Sequence, residues 1–200
     1  GIPAIVGCNN ATELIRNNMQ VTVSCGEGNE GRVYKGELDY KIENIKFGSM
    51  PEVPVKIMMN VGNPDKAMSF SMMPNEGVGL ARVEFIINKM IGIHPKALLD
   101  ESAVDKETVK IIQDKISGYE NARTFFIEKL SEGIATIAAS FSPKPVIVRM
   151  SDFKSNEYTN LIGGSYFEPK EENPMLGFRG AGRYISDDFR ECFELECEAL

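Results

Sequence analysis

The sequence has few of the features that mark membrane-bound, secreted or nucleic-acid-binding proteins. Its 200 residues include no tryptophan, one histidine and four cysteines, and no apolar run approaches the roughly 18 residues that a membrane-spanning helix needs. Acidic residues outnumber basic ones by 29 to 22, which gives a formal net charge of -7. Because nonspecific binding to nucleic acid requires a basic surface, we expect neither a nucleic-acid partner nor a membrane partner.

The cysteines and the first residues bear on the cellular compartment. No CxxC pair and no neighbouring histidine accompany the cysteines at positions 8, 25, 192 and 197, so they predict neither a disulfide framework nor a zinc site. The opening residues, GIPAIVG, lack the basic segment and long apolar segment of a signal peptide. With 42% hydrophobic and 26% charged residues, the composition indicates a globular protein. We expect a cytoplasmic location.

The first part of the chain predicts a small β-rich unit. Asn10, followed by Glu13 three residues later, predicts the start of a short helix. Two strand-like runs at residues 21–25 and 32–35 flank the glycine-rich residues 26–31, GEGNEG. These glycines match the pattern GxGxxG, but a dinucleotide site requires a helix after it, and here a strand pattern resumes. We therefore predict a β-hairpin.

A polar segment, residues 41–52, predicts a domain boundary, with domains at 1–45 and 46–200. Beyond it, short apolar runs alternate with amphipathic helices, the pattern of parallel strands covered by helices. The predicted strands are residues 55–59, 78–82 and 146–149. A complete barrel of the TIM type takes roughly 250 residues. The α/β pattern therefore predicts a partial (β/α)8 barrel that contains its first strands only.

Local signals predict where the helices begin. Asn63 and Pro64 predict a helix through Phe70, and a long helix from about Ala122 follows helical spacing to Phe141. Two further helices are predicted to start after Ser102, with Asp105 at the third position, and after Ser186. Neither glycine nor proline follows the last helix, so we expect the sequence to be an internal segment of a longer protein.

Arginines at the ends of two predicted strands are the main functional candidates. Arg82 and Arg149 each follow a buried apolar run, which places them at the carboxyl ends of parallel strands, where barrel enzymes bind substrate. Arg179 lies in a glycine-rich stretch that lets backbone amides approach a ligand. The planar guanidinium group suits phosphate or carboxylate. The alternative is that each arginine pairs with a nearby acid such as Glu84 or Asp152.

Three other features indicate structural roles. His94, in the sequence GIHP, is predicted to be a turn residue. The acidic residues 168–172 are predicted to be a solvated run, with cation binding as the alternative. Cys192 and Cys197 are five residues apart on one helix and point in different directions, so we assign them no catalytic role.

Four motifs together resemble the phosphoenolpyruvate synthase family of PEP-utilising enzymes. They are GIPAIVG at residues 1–7, PNEGVGLARVEFI at 74–86, VIVRMSDFKSNEY at 146–158 and ENPMLGFRG at 172–180. Pyruvate phosphate dikinase and enzyme I of the sugar phosphotransferase system share looser versions. Fragments of those enzymes, or a stand-alone anion-binding module, remain alternatives.

The resemblance implies a larger parent that converts ATP, pyruvate and water to AMP, phosphoenolpyruvate and phosphate through a phosphohistidine. It implies that residues 1–45 are the tail of the swivelling phosphohistidine domain and that residues 46–200 begin the phosphoenolpyruvate- and pyruvate-binding barrel. The parent would use ATP and Mg²⁺ and form a homodimer.

Residue by residue, the resemblance implies substrate binding by Arg82, Arg149 and Arg179. The carrier histidine, the metal ligands and the catalytic cysteine would lie outside the sequence, which leaves no catalytic residue or metal ligand within it. We therefore expect no turnover from these 200 residues alone. The roles of Lys154 and Arg183 are left open.

Overall fold

The computed structural model describes residues 3–28, 30–41 and 53–200. The chain divides into two compact units, residues 1–46 and 47–200. Most of the predicted boundary segment, residues 42–52, lies outside the described residues. The assignment of the two units to a phosphohistidine domain and a barrel therefore stays a prediction.

The first unit contains the predicted hairpin. Helix α1 (Ala11–Leu14) follows Asn10, although the Asn10 side chain makes no capping hydrogen bond. Strands β1 (Val21–Ser24) and β2 (Arg32–Lys35) pair antiparallel, with Val21 opposite Lys35. Because residues 26–31 join two antiparallel strands and do not lead into a helix, the hairpin prediction is confirmed.

A three-stranded parallel sheet lies at the centre of the second unit. Its order is β3 (Met59–Val61), β4 (Val78–Arg82) and β5 (Val146–Arg149). In the register, Val61 lies opposite Ala81 of β4, and Arg82 lies opposite Arg149 of β5. The carboxyl ends of the strands are thus aligned at one edge of the sheet. The observed class is mixed α/β, as predicted.

Strand β3 begins later than its apolar run suggests. The prediction placed it at residues 55–59, whereas pairing with β4 starts at Met59, whose N–H donates to the Gly77 carbonyl at 2.8 Å. Val55 and Ile57 are 66% and 46% exposed. The apolar run is therefore not buried on both faces here, and apolar composition alone does not reveal that.

The second unit also contains helices. They are α2 (Pro64–Ser71), α3 (Val83–Ile86) with its π-helical continuation Ile87–Ile91, α4 (Pro95–Leu99), α5 (Lys106–Ile116), α6 (Ala122–Phe141), α7 (Ser155–Thr159), α8 (Gly180–Tyr184) and α9 (Arg190–Ala199). Short 3₁₀ turns lie at Glu101–Ala103 and Gly164–Tyr166. None of the described helices is long and apolar enough to cross a membrane.

Two helices begin at residues other than those predicted. Asp105, and not Ser102, caps α5, because its carboxylate accepts from the Thr108 N–H at 2.7 Å. Ser186 does not start α9. Its carbonyl accepts from the N–H groups of Phe189 and Arg190 at 3.0 and 2.9 Å, which forms a turn before the helix. In both places several Ser and Asp residues compete for the cap, and sequence cannot rank them.

Helix α6 organises the core. It contacts α2, α3, α4 and α9, as well as strands β4 and β5. Its apolar residues recur at helical spacing as predicted, and the buried ones include Phe126, Leu130, Ile137 and Phe141. Gly133 faces Ile86 of α3, and a methyl group there would overlap the Ile86 side chain. This close approach holds α3, and with it the end of β4, against the core.

Candidate functional site

A cavity lies at the carboxyl ends of β4 and β5. Arg82 and Arg149 are the last residues of these strands and lie opposite each other in the register. The cavity has a volume of about 440 Å³, and we call it the arginine pocket. Its charged lining residues are Arg82, Glu84, Arg149, Asp152, Lys154, Glu157 and Arg179. Four are basic and three acidic, so the lining is slightly positive although the chain is acidic.

Glu84 ties the two strand ends together. It lies in α3, two residues after β4, and its Oε1 accepts from Arg149 Nη2 and from the Asp152 N–H, the latter at 2.9 Å. Within the described residues its Oε2 is buried and has no hydrogen-bond partner. Glu84 therefore fixes both Arg149 and the first residues after β5.

Asp152 holds Arg179 by a forked ion pair. Arg179 Nε and Nη2 donate to Oδ1 and Oδ2 of Asp152 at 3.0 and 2.8 Å, which is the bidentate geometry that a guanidinium favours. The hydrogen bonds from Arg179 lower the pKa of Asp152 against a smaller opposing effect of burial. Asp152 therefore stays charged, and Arg179 is held at the pocket wall.

Arg82 differs from the other two arginines. It forms no ion pair within the described part of the chain, and its buried Nε has no hydrogen-bond partner there. Its guanidinium lies over the ring of Phe85, 4.7 Å from the ring centre, a cation–π arrangement. Arg82 is thus the arginine with most unused capacity to donate to an anion.

The structure brings the three predicted arginines to one cavity. It also contains both acid pairs that the sequence raised as the alternative, Arg149 with Glu84 and Arg179 with Asp152. These ion pairs leave some N–H groups of both arginines free to donate to a ligand, because a guanidinium has five N–H donors. The Arg149 side chain is also 43% exposed.

Sequence reasoning treated Glu84 only as a possible partner and missed Lys154 and Glu157 as lining residues. Lys154 precedes α7 and pairs with Glu157, with Nζ and Oε1 3.3 Å apart. The signal that was available is position: all three lie within about eight residues of the carboxyl end of a predicted strand.

Arg183 does not line the pocket. It lies in the interior with His94 and Glu168, and we call these three residues the buried cluster. Both terminal nitrogens of Arg183 donate to Glu168, one of them at 2.9 Å, and His94 Nε2 lies 2.8 Å from Glu168 Oε1. The prediction that residues 168–172 are a solvated acidic run is therefore wrong for Glu168, whose side chain is 1% exposed.

His94 has a structural place in this cluster. Its Nδ1 accepts from the Lys96 N–H at 3.1 Å and so caps α4. That contact assigns the ring proton to Nε2, which donates to Glu168. Burial lowers the pKa of His94, although the hydrogen bond to Glu168 opposes this effect. The ring is held neutral, away from the arginine pocket.

A second buried network supports the loop after β5. The Ser151 N–H donates to Glu196 Oε2 at 3.0 Å, Ser151 Oγ donates to the same carboxylate, and the Tyr184 hydroxyl donates to the Ser151 carbonyl. Burial raises the pKa of Glu196, and the two hydrogen bonds from Ser151 oppose this effect. Helices α8 and α9 thereby hold the residue next to Asp152.

The cysteines of α9 lie apart from this chemistry. Burial raises the pKa of Cys192 to about 12, and neither Cys192 nor Cys197 lines the pocket. Among the described residues, no group of three or more His, Cys, Asp or Glu side chains is placed to hold a metal ion.

Arginines that face a polar cavity from the ends of parallel strands define this unit as an α/β domain with a basic pocket. Comparison with known families identifies it further. The model for the PEP-binding domain of PEP-utilising enzymes matches residues 38–200. The chain belongs to this family, as its motifs predicted.

Curated relatives extend the similarity to the whole chain. All 200 residues are 60% identical to the phosphoenolpyruvate synthase of Pseudomonas aeruginosa, 59% to that of Neisseria meningitidis and 57% to that of Escherichia coli. In each case the chain spans 25% of the relative's length.

Proposed function

We propose that the chain supplies the basic side of a substrate site that binds phosphoenolpyruvate and pyruvate in a phosphoenolpyruvate synthase. The observation that carries this proposal is the meeting of Arg82, Arg149 and Arg179 at one cavity beside the aligned strand ends. The names of the relatives, each of them phosphoenolpyruvate synthase, support the choice of this enzyme over a dikinase or enzyme I.

The charges of the ligand fit those of the pocket. Phosphoenolpyruvate carries a carboxylate and a phosphate, and each can accept two parallel hydrogen bonds from one guanidinium. Arg82 has donors to spare because no carboxylate occupies it in the described residues. Glu84 and Asp152 hold Arg149 and Arg179 in place before the ligand arrives, so little ordering cost remains at binding.

The proposed reaction of the longer protein converts ATP, pyruvate and water to AMP, phosphoenolpyruvate and phosphate through a phosphohistidine. In that scheme this chain binds and orients pyruvate, and its guanidinium groups stabilise the charge on the phosphoryl group as it transfers to the pyruvate oxygen. The family resemblance implies ATP and Mg²⁺ for the reaction. We assign this chain no step through the ion.

We extend the proposal to the architecture and the location. The three parallel strands, two of which end in an arginine, are proposed to be the first strands of a (β/α)8 barrel, since the carboxyl ends of the strands are where barrels bind substrate. Residues 1–45 are proposed to be the tail of a phosphohistidine domain. A cytoplasmic location is proposed because the cysteines are free thiols.

The test is a product assay of the full-length protein that carries this chain. With ATP and pyruvate, we expect phosphoenolpyruvate, AMP and free phosphate in equal amounts. Arg82→Lys should lower kcat/KM for pyruvate while the ATP-dependent phosphorylation of the carrier histidine continues. In a parallel assay with added inorganic phosphate as a second phosphoryl acceptor, pyrophosphate in place of free phosphate would indicate a dikinase. Unchanged kcat/KM in the Lys variant would remove Arg82 from the substrate site.

A further inference from the structure

We propose that Arg183 and Glu171 are positioning residues that fix Arg179 in the arginine pocket by clamping the backbone of Phe178. Neither residue lines that pocket. The inference rests on the proposed function in one respect, since it takes Arg179 to be a ligand-binding group.

Both backbone polar groups of Phe178 are held by charged side chains. Its N–H donates to Glu171 Oε1 at 2.7 Å, and its carbonyl accepts from Arg183 Nη1 at 3.1 Å. Hydrogen bonds to charged groups are roughly twice as strong as neutral ones. The residue directly before Arg179 is therefore held at both its N–H and its carbonyl.

Arg183 is itself a rigid anchor. It is 3% exposed, and both terminal nitrogens pair with Glu168. Its guanidinium carbon lies 4.2 Å from the ring centres of Tyr158 and Phe189 and 4.7 Å from that of Phe178. Ion pairing and aromatic contact on several sides leave this side chain one arrangement, so the Phe178 carbonyl is fixed relative to the core.

Glu171 joins the same backbone to the loop after β5. Its Oε2 accepts from the hydroxyl of Ser155, the first residue of α7. Gly177 lies directly against the Glu171 carboxylate, where any Cβ would overlap it. A glycine at this position therefore lets the carboxylate reach the Phe178 N–H.

The clamp matters because the element that carries Arg179 is too short to orient it. Helix α8 has five residues, and Arg179 precedes it in extended conformation with no side-chain cap. The ion pair with Asp152 fixes the guanidinium of Arg179, and the two hydrogen bonds to the Phe178 backbone fix the start of the Arg179 main chain. Since a displacement of about 1 Å at a binding group can cost a large factor in affinity or rate, loss of the clamp should be felt at the ligand.

The experiment is a double-mutant cycle in the full-length protein, with the Kd for phosphoenolpyruvate measured by calorimetry. Arg183→Lys keeps the charge but cannot reach Glu168 and the Phe178 carbonyl together, and should weaken binding by about tenfold. When Arg179→Lys is already present, Arg183→Lys should weaken binding little further, because displacing a side chain that no longer binds well has a small effect on the Kd. Arg190→Lys, at the exposed start of α9, is the matched control and should bind normally.

Glu171→Gln provides a second variant, on a loop, in case Arg183→Lys does not fold. It keeps one acceptor oxygen and removes the charge, so a loss of several-fold in affinity, again non-additive with Arg179→Lys, is expected. Additive losses, or no loss in either variant, would mean that the clamp supports the fold only, and would overturn the inference.

Failure of the proposed function has a different signature. If Arg82→Lys and Arg149→Lys weaken phosphoenolpyruvate binding but Arg179→Lys does not, the site stands and the inference about its third arginine is wrong. If none of the three Lys variants weakens binding, the arginine pocket is not the ligand site and both proposals fail.

Discussion

The arginine pocket and the buried cluster are made from the same kinds of residue and differ in surroundings. In the pocket, Arg149 and Glu84 have side chains that are 43% and 12% exposed and border a cavity. In the buried cluster, the side chains of Arg183 and Glu168 are 3% and 1% exposed, and aromatic rings enclose the guanidinium. An arginine–carboxylate pair alone therefore does not identify a binding site. Access to solvent distinguishes the two pairs.

The two regions should respond differently to mutation. Removing one partner of a buried ion pair leaves an uncompensated charge in the interior, which is costly. A pair that borders solvent contributes little to stability, because water replaces the lost partner. Removal of a charged partner from the buried cluster should therefore appear as loss of folding, and damage to the pocket as loss of binding alone.

The largest effect is expected from Glu168→Ala. It leaves Arg183 buried without its carboxylate and should destabilise the second unit by about 3–5 kcal/mol. Hydrogen exchange in the full-length protein should show faster opening of α4, α8 and α9. Glu172→Ala, an exposed residue in the same acidic run, should change exchange little. Equal effects of the two variants would contradict the distinction between cluster and surface.

The contrast between Glu168 and Glu172 shows where sequence reasoning ends. The parallel strands β4 and β5, the hairpin and helices α2 and α6 follow from apolar periodicity and capping residues, which are local signals. The short helices α3, α4, α7 and α8 are four or five residues long. Without a capping pattern such as the one that predicted α1, segments of this length contain too little of a helical period to be recognised, and tertiary contacts determine them.

For the site, position at a strand end was enough to select Arg82 and Arg149. Their pairing with Glu84 and the orphaned Nε of Arg82 required coordinates. The buried cluster was not predictable, since His94 and Glu168 lie 74 residues apart and each looks like a surface or turn residue by itself. Contacts of that separation depend on how α4 and the acidic run pack, which no local pattern specifies.

The next largest effect is expected at the pocket itself. In the full-length protein, Arg82→Lys and Arg149→Lys keep the charge and lose the fork, so kcat/KM for pyruvate should fall roughly ten- to a thousandfold, about 1.4 to 4 kcal/mol. Thermal unfolding should be nearly unchanged. Steady-state kinetics measures the change in kcat/KM, and scanning calorimetry measures the thermal unfolding. A variant that unfolds instead would place its arginine with the buried cluster.

A smaller effect is expected from Glu84→Gln. The amide keeps an acceptor for the Asp152 N–H but removes the charge that holds Arg149, so affinity for phosphoenolpyruvate should fall by about tenfold or less. The opposite result, tighter binding, would show that Glu84 competes with the ligand for Arg149 and does not orient it. Glu132→Gln, on the exposed pair with Lys129, is the matched control.

The smallest effect concerns the pH dependence of the buried cluster. Burial lowers the pKa of His94 below 6.5, so the unfolded state binds a proton before the folded state does as the pH falls. The stability that comes from a neutral, buried His94 is therefore fully present above pH 6.5 and is lost as the pH falls through the lowered pKa of the folded state. The free energy of unfolding should change by at most about 1.4 kcal/mol per pH unit. Hydrogen bonds from His94 and Arg183 outweigh burial and lower the pKa of Glu168 as well, which adds a loss of the same sign below pH 4.5.

His94→Asn keeps a side-chain acceptor for the Lys96 N–H but cannot titrate. His94 is the one histidine in the chain. In that variant, we therefore expect the free energy of opening of α4 to become nearly independent of pH, as measured by hydrogen exchange between pH 7.5 and 5. An unchanged slope would mean that His94 does not couple protonation to the fold, and that the buried cluster owes its stability to Arg183 and Glu168 alone.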